Sequence, residues 1–245
     1  MCLTCFFFTC HRDTKRGNIS FIFPPIGYAA DNRDKLIASC LEGVKSDISL
    51  VNLPEFTDTI TIQFLVSREE MKKYTGIPAS GVTLLYPRKI IYMVLNDQEK
   101  GAPIRHELMH MILLCNWGGP DQTSLWMHEG LAAFSQNECN GYNDEQIYRY
   151  FAATGMLLPM DSLVNQFYHT PEMIGYHQAA FIVQYLLKNY GVEKIRKLWQ
   201  QGFDAFKDIY GTSFDRMQMD INSEAKKDYP TAPKIDWKVF SQGCN

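Results

Sequence analysis

No run of eighteen apolar residues occurs in the 245-residue chain, so an ordinary membrane-spanning helix is not expected. An excess of basic residues is missing too. The 24 Lys and Arg stand against 27 Asp and Glu, a net charge of −3, which offers nothing to a nucleic-acid backbone. Internal repeats and low-complexity tracts are absent, which excludes collagen-like and coiled-coil chains. Histidine is scarce, at 6 residues, so where it falls carries information. What is present is an average globular composition, 46% hydrophobic and 21% charged. A chain of this length can bury a full core without metal or disulfide support.

The N-terminus departs from that average. Leu3, Phe6, Phe7 and Phe8 make a short apolar tract, followed by Arg12, Lys15 and Arg16. The tract reads as the end of an export signal or as a frayed apolar terminus. Phe7-Phe8-Thr9-Cys10 loosely resembles a lipoprotein cleavage box, which would make Cys10 the site of a lipid anchor. The expected location is therefore exported (periplasmic, cell-surface or lipid-anchored), with the cytoplasm as the alternative. Residues 1–20 are set apart as this leader remnant or a disordered N-terminus, and 21–245 are read as one domain. Seven cysteines are present. Processing at Cys10 would leave four after it, an even number that permits disulfides without demanding them. Burial as small hydrophobes is the default expectation for them.

The early chain reads as mixed α/β, over about 21–100. Leu36, Ile37, Cys40, Leu41 and Val44 have helical spacing. Thr59–Val66 alternates and is β-branched, as a strand should be. A short helix is expected over Ser67–Tyr74, stopped by Gly76, and strands over Gly81–Leu85 and Lys89–Leu95. Ile90–Leu95 reads as an edge strand that could pair with an extended peptide, or else as a plain core strand. The pattern over about 101–228 is helical, with a tail at 229–245. Pro103 opens one helix and a second spans about 124–136. Asn143 and Gln146 resemble a capping box. A long helix runs from about Pro171 to Tyr190 and ends at Gly191. Strands first and helices after make the fold class α+β, a small mixed sheet packed on a mainly helical body.

Residues 106–110 read His-Glu-Leu-Met-His. On a helix, His106 and His110 share one face and can both reach a single zinc ion. Glu107 is offset from that face and suited to handle a water proton. A catalytic zinc needs a third protein ligand, and Trp126-Met127-His128-Glu129-Gly130-Leu131-Ala132 offers Glu129 on the next helix. His128 points about 100° away from Glu129 on a helix and is not expected to ligate. His169 and His177 are expected at the surface, or else lining a substrate cleft. Trp126, Met109, Met111 and Met127 are expected in the core.

His-Glu-x-x-His, then 18 residues, then Glu in a Trp-x-x-Glu-Gly-Leu-Ala context resembles the gluzincin metallopeptidases, within them the peptidase-MA-like branch that includes the aminopeptidase N family. The resemblance covers about residues 60–220. It implies a zincin-type, thermolysin-like catalytic domain over 21–245 and one Zn2+ held by His106, His110 and Glu129. It also implies Glu107 as general base and acid. Tyr176, at the head of Tyr-His-Gln-Ala-Ala-Phe-Ile-Val-Gln-Tyr-Leu, matches the family's oxyanion-stabilising tyrosine, with Tyr168 as its rival. The implied activity is hydrolysis of peptide bonds in a peptide or protein substrate through a zinc-activated water. Where the aminopeptidases carry a Gly-x-Met-Glu-Asn loop, this chain has Gly81-Val82-Thr83-Leu84-Leu85, with no carboxylate to hold a free amine. The alternatives are a decayed zinc-binding or partner-binding module and a zinc hydrolase of a non-peptide substrate.

Overall fold

A computed structural model describes residues 12–244; the expected signal tract and Cys10 lie outside them. The fold is α+β, with a small mixed five-stranded sheet and a majority of helix. The chain forms two compact units. One holds the chain up to Ser46 together with Glu55–Met111, and the other holds Asp47–Pro54 and the chain from Ile112. The division between the two units falls inside a helix, between Met111 and Ile112.

The first unit opens with β1 (Arg12–Arg16) and β2 (Ile19–Phe23). The expected domain start at residue 21 thus falls inside a strand. The two-residue turn Gly17-Asn18 joins them, with Gly17 at φ 59°, a conformation glycine adopts without steric cost. Asn18 then donates its side-chain amide to the carbonyls of Phe56 (2.9 Å) and Asp58 (2.6 Å), fixing the hairpin to a loop forty residues away. Next come α1 (Tyr28–Asp31), α2 (Arg33–Leu50), β3 (Ile60–Leu65), α3 (Arg68–Thr75), β4 (Gly81–Leu84), β5 (Ile90–Val94) and α4 (Ile104–Asn116). The last turns of α2 and α4 belong to the second unit. Ser67 caps α3 by accepting from the Glu70 amide, and Gly76 ends it in the left-handed region, as its punctuation predicts.

The sheet order is β1-β2-β3-β5-β4. Its inner strands β2, β3 and β5 run parallel, while β1 and β4 lie antiparallel at the ends. Phe21, Phe23, Ile62, Phe64, Ile91 and Met93 are almost fully buried, and the Phe23 and Phe64 rings stack at 4.9 Å. Each such side chain contributes roughly 1.5–3 kcal/mol of burial. One expectation is corrected here. Ile90–Val94 is no edge strand, because β5 is paired on both sides by β3 and β4. On this side of the sheet the edge is β4, whose residues are only partly buried.

The second unit contains α5 (Leu125–Gln136), α6 (Asp144–Thr154), α7 (Met160–Gln166), α8 (Glu172–Tyr190), α9 (Val192–Gln201), α10 (Phe206–Tyr210), α11 (Phe214–Asp228) and α12 (Trp237–Phe240). The capping box of Asn143 and Gln146 is present in full. The helices α5 and α8 meet backbone to backbone. A Cβ on Gly130 would lie 2.9 Å from the carbonyl carbon and oxygen of Ala179, so only glycine fits. The segment after α11 is part of the core, not a loose tail. Ile235 and Phe240 pack with Ile147, Phe151 and Ile174. A disulfide between Cys139 and Cys244, 105 residues apart, fastens its end. Cys40 remains a buried thiol, with burial pushing its pKa up to about 12.

Two consequences are measurable. Gly130→Ala must force α5 and α8 apart, an overpacking cost of about 1–3 kcal/mol, and thermal unfolding is expected several degrees lower. At the α6–α11 contact, burial and the charges of Asp228 and Glu224 raise Glu145 from about 4.5 to about 7, against the pull of Lys188. A carboxyl whose pKa is raised by folding holds its proton more tightly in the native state. Its contribution therefore falls as pH climbs from about 4.5 to about 7. Glu145→Gln is expected to flatten that dependence, matching the wild type near pH 4 and exceeding it near pH 8 in urea denaturation.

Candidate metal centre

The site begins on α4. Leu108, Met109, Met111, Ile112 and Leu113 are fully buried, so this helix is held by packing on several sides. Gly43 on α2 makes room for it: a Cβ there would sit 2.8 Å from the Leu108 side chain. A helix fixed so firmly fixes its polar side chains as well. The rings of His106 and His110 stand perpendicular, at 89°, with centroids 4.6 Å apart, and their Nε2 atoms face each other at 3.0 Å. Two neutral imidazoles cannot both present lone pairs at that distance, so either one donates a proton or a cation is shared.

Glu107 lies between them in sequence and turns elsewhere. Its side chain is 5% exposed and meets the edge strand β4. The Thr83 hydroxyl is 2.7 Å from Glu107 Oε2 and 3.0 Å from the Glu107 carbonyl. Its single proton favours the shorter contact, to the charged acceptor. Two residues earlier on the strand, a Cβ on Gly81 would fall 2.5 Å from Glu107 Oε1. The carboxylate thus occupies the volume that any side chain at position 81 would need.

The other sequence-derived ligand, Glu129, is on α5 in the second unit and is 7% exposed. Its Oε1 accepts a hydrogen bond from the Tyr168 hydroxyl at 3.0 Å. Burial, and then the Glu129 charge, raises the Tyr168 pKa, so the phenol stays protonated as a donor. Tyr176 sits on α8, with its ring 5.2 Å from that of Phe167. His106 and His110 offer two imidazole ligands from the first unit, and Glu129 offers a buried carboxylate from the second. Two imidazoles and one carboxylate are a donor set that suits Zn2+ and leaves a coordination position open.

The remaining histidines behave less uniformly. His128 packs against the Trp199 ring at 5.3 Å, and His169 is exposed as expected. His177 is not at the surface. It is 7% exposed, with Nδ1 2.7 Å from Asp144. Trp126, Met109, Met111 and Met127 are core residues, as their positions predict. Sequence reasoning did not find Thr83 as a partner of Glu107. The available signal was its position two residues after the strand's only glycine, where side-chain alternation puts 81 and 83 on one face.

No protein-family model matches the chain, and no curated protein matches it.

Thr83→Val keeps the shape of the side chain and removes the donor to a nearly buried carboxylate. Loss of a hydrogen bond to a charged group is expected to cost about 1.5–3 kcal/mol, measured by urea denaturation at neutral pH. An unchanged midpoint would mean that solvent satisfies Glu107 instead.

Proposed function

We propose that this protein is a zinc-dependent metallopeptidase of the gluzincin type. One observation carries the reading: two imidazole nitrogens face each other at 3.0 Å on a buried helix, and the carboxylate between them is held by Thr83. A purely structural zinc closes its coordination with ligands and has no use for an adjacent positioned carboxylate.

In this reading His106, His110 and Glu129 hold one Zn2+. When bound, the ion supplies Lewis acidity, drawing the pKa of a water toward neutrality and polarising the scissile carbonyl. Glu107 accepts the proton at its carboxylate and returns it to the departing amine. Thr83 keeps one carboxylate oxygen engaged, so Glu107 does this from a fixed orientation. Tyr168 donates to Glu129 and orients that carboxylate. Tyr176 donates to the carbonyl oxygen as it gains charge. Among the described residues β4, in the same unit as Glu107, pairs with a strand on one side only, and an extended peptide can lie along its other edge. The absence of a carboxylate in Gly81–Leu84 removes the usual anchor for a free N-terminus, which favours cleavage within a chain.

An exported location accompanies the proposal. The Cys139–Cys244 disulfide is the kind of bond that persists in oxidising compartments, and among the described residues no helix is long and apolar enough to cross a membrane.

The test joins metal analysis to an unbiased peptide-library digest with a chelator control. Wild-type protein is expected to carry zinc near one per chain and to cleave peptides in a chelator-sensitive way. Glu107→Gln is expected to keep the zinc and lose activity by about a hundredfold or more. Full activity in a folded Glu107→Gln protein overturns the mechanism. Zinc without cleavage of any peptide points instead to a binding module or a non-peptide hydrolase.

A further inference from the structure

A second group of ligating atoms lies entirely within the second unit. Cys139, His177 and Cys244 have Sγ, Nε2 and Sγ within 4.8 Å of one another. The two sulfurs are joined as a disulfide, and His177 Nε2 stands 3.7 Å from Cys244 Sγ. Behind the ring, Nδ1 is 2.7 Å from Asp144 Oδ1. Asp144 is 1% exposed, and its other oxygen has no hydrogen-bond partner. A disulfide needs none of this. Its sulfurs are weak acceptors, whereas burying a carboxylate is costly unless the charge is used. A ring with one nitrogen held by a buried carboxylate and the other aimed at two sulfurs is how proteins prepare histidine as a metal ligand.

We propose that Cys139, Cys244 and His177 form a redox-gated zinc site, latent in the disulfide form. A dithiol reductant starts at Cys244, which is exposed. Two electrons pass into the S–S bond, which breaks to give two thiols, while the reductant closes to its own disulfide. Both cysteines then bind Zn2+ as thiolates and release two protons to solvent. Neutral His177 adds Nε2 and keeps its Nδ1 proton donated to Asp144. Water takes the fourth position. His177 Nε2 and Cys244 Sγ already stand 3.7 Å apart, about the separation that ligands at roughly 2.1–2.3 Å from one zinc require, and the two sulfurs, bonded to each other in the disulfide, separate to a similar distance once that bond is broken. The site lies where the C-terminal segment meets Ile147, Phe151 and Ile174 through Ile235 and Phe240. That segment is therefore fastened covalently under oxidising conditions and by metal under reducing ones.

The full chain, reduced with a dithiol and desalted without oxygen, is titrated with Co2+. The readout is the near-ultraviolet thiolate-to-cobalt absorption, to which histidine and carboxylate sites are silent. The reduced wild type is expected to develop this band with saturation at one equivalent beyond the Co2+ taken up silently by His106, His110 and Glu129. The oxidised protein and a reduced Cys139→Ser/Cys244→Ser variant are expected to lack it. Asp144→Asn, checked for native circular dichroism, is expected to weaken Co2+ binding about tenfold to a hundredfold. The proposal is overturned if the reduced wild type absorbs no more than the double-serine variant. It is equally overturned if folded Asp144→Asn and His177→Ala proteins bind Co2+ with unchanged affinity and spectrum.

Discussion

Two imidazole nitrogens held 3.0 Å apart set the terms for much of the first unit. The spacing follows from one turn of helix, but it persists only if the helix cannot unwind, slide or rotate. Packing on several sides of α4 supplies that rigidity, and Gly43 helps by letting α2 approach without pressing a Cβ on the Leu108 side chain. The sheet matters to the site through one strand only. Because β4 is at an end of the sheet, its residues are partly buried and it can present Thr83 to Glu107.

The second unit meets its demands by different means. Glu129 is held on a helix whose neighbour in sequence, Gly130, allows α5 to press against α8. The glycine that follows the carboxylate is thus a packing requirement, and its place in the motif has a mechanical reason independent of any metal. The tyrosine on Glu129 comes from Tyr168, at the short turn before α8. Support for that carboxylate thus comes from outside the helix pair that holds it.

Helices were the readable part of this sequence. Those of ordinary length announced themselves by caps and stops: Ser67 and Gly76 around α3, Asn143 with Gln146 at α6, Gly191 after α8. The paired histidines and Glu107 were legible because helical geometry converts spacing directly into a shared face. The N-terminal hairpin was harder. Ile19, Phe21 and Phe23 alternate as a strand should, but they follow a basic, polar run that invites a different reading. Strand order was not legible at all. Whether Ile90–Val94 or Gly81–Leu84 lies at the edge depends on pairing across the sheet, which alternation within one strand does not encode. His177 was misplaced for a similar reason. Its burial depends on Asp144, thirty-three residues earlier, and on a cysteine near the other end of the chain.

Gly81 ties two distant positions into one evolutionary unit. Its missing side chain is the space in which the Glu107 carboxylate sits, so residue 81 can gain a Cβ only where residue 107 has given up its reach. A descendant that abandoned Glu107 for a smaller residue would be released from glycine at 81. One that kept Glu107 would not. Across related chains a side chain at 81 is therefore expected only where 107 is no longer a glutamate, which makes a residue on a sheet edge a witness to the chemistry of a helix.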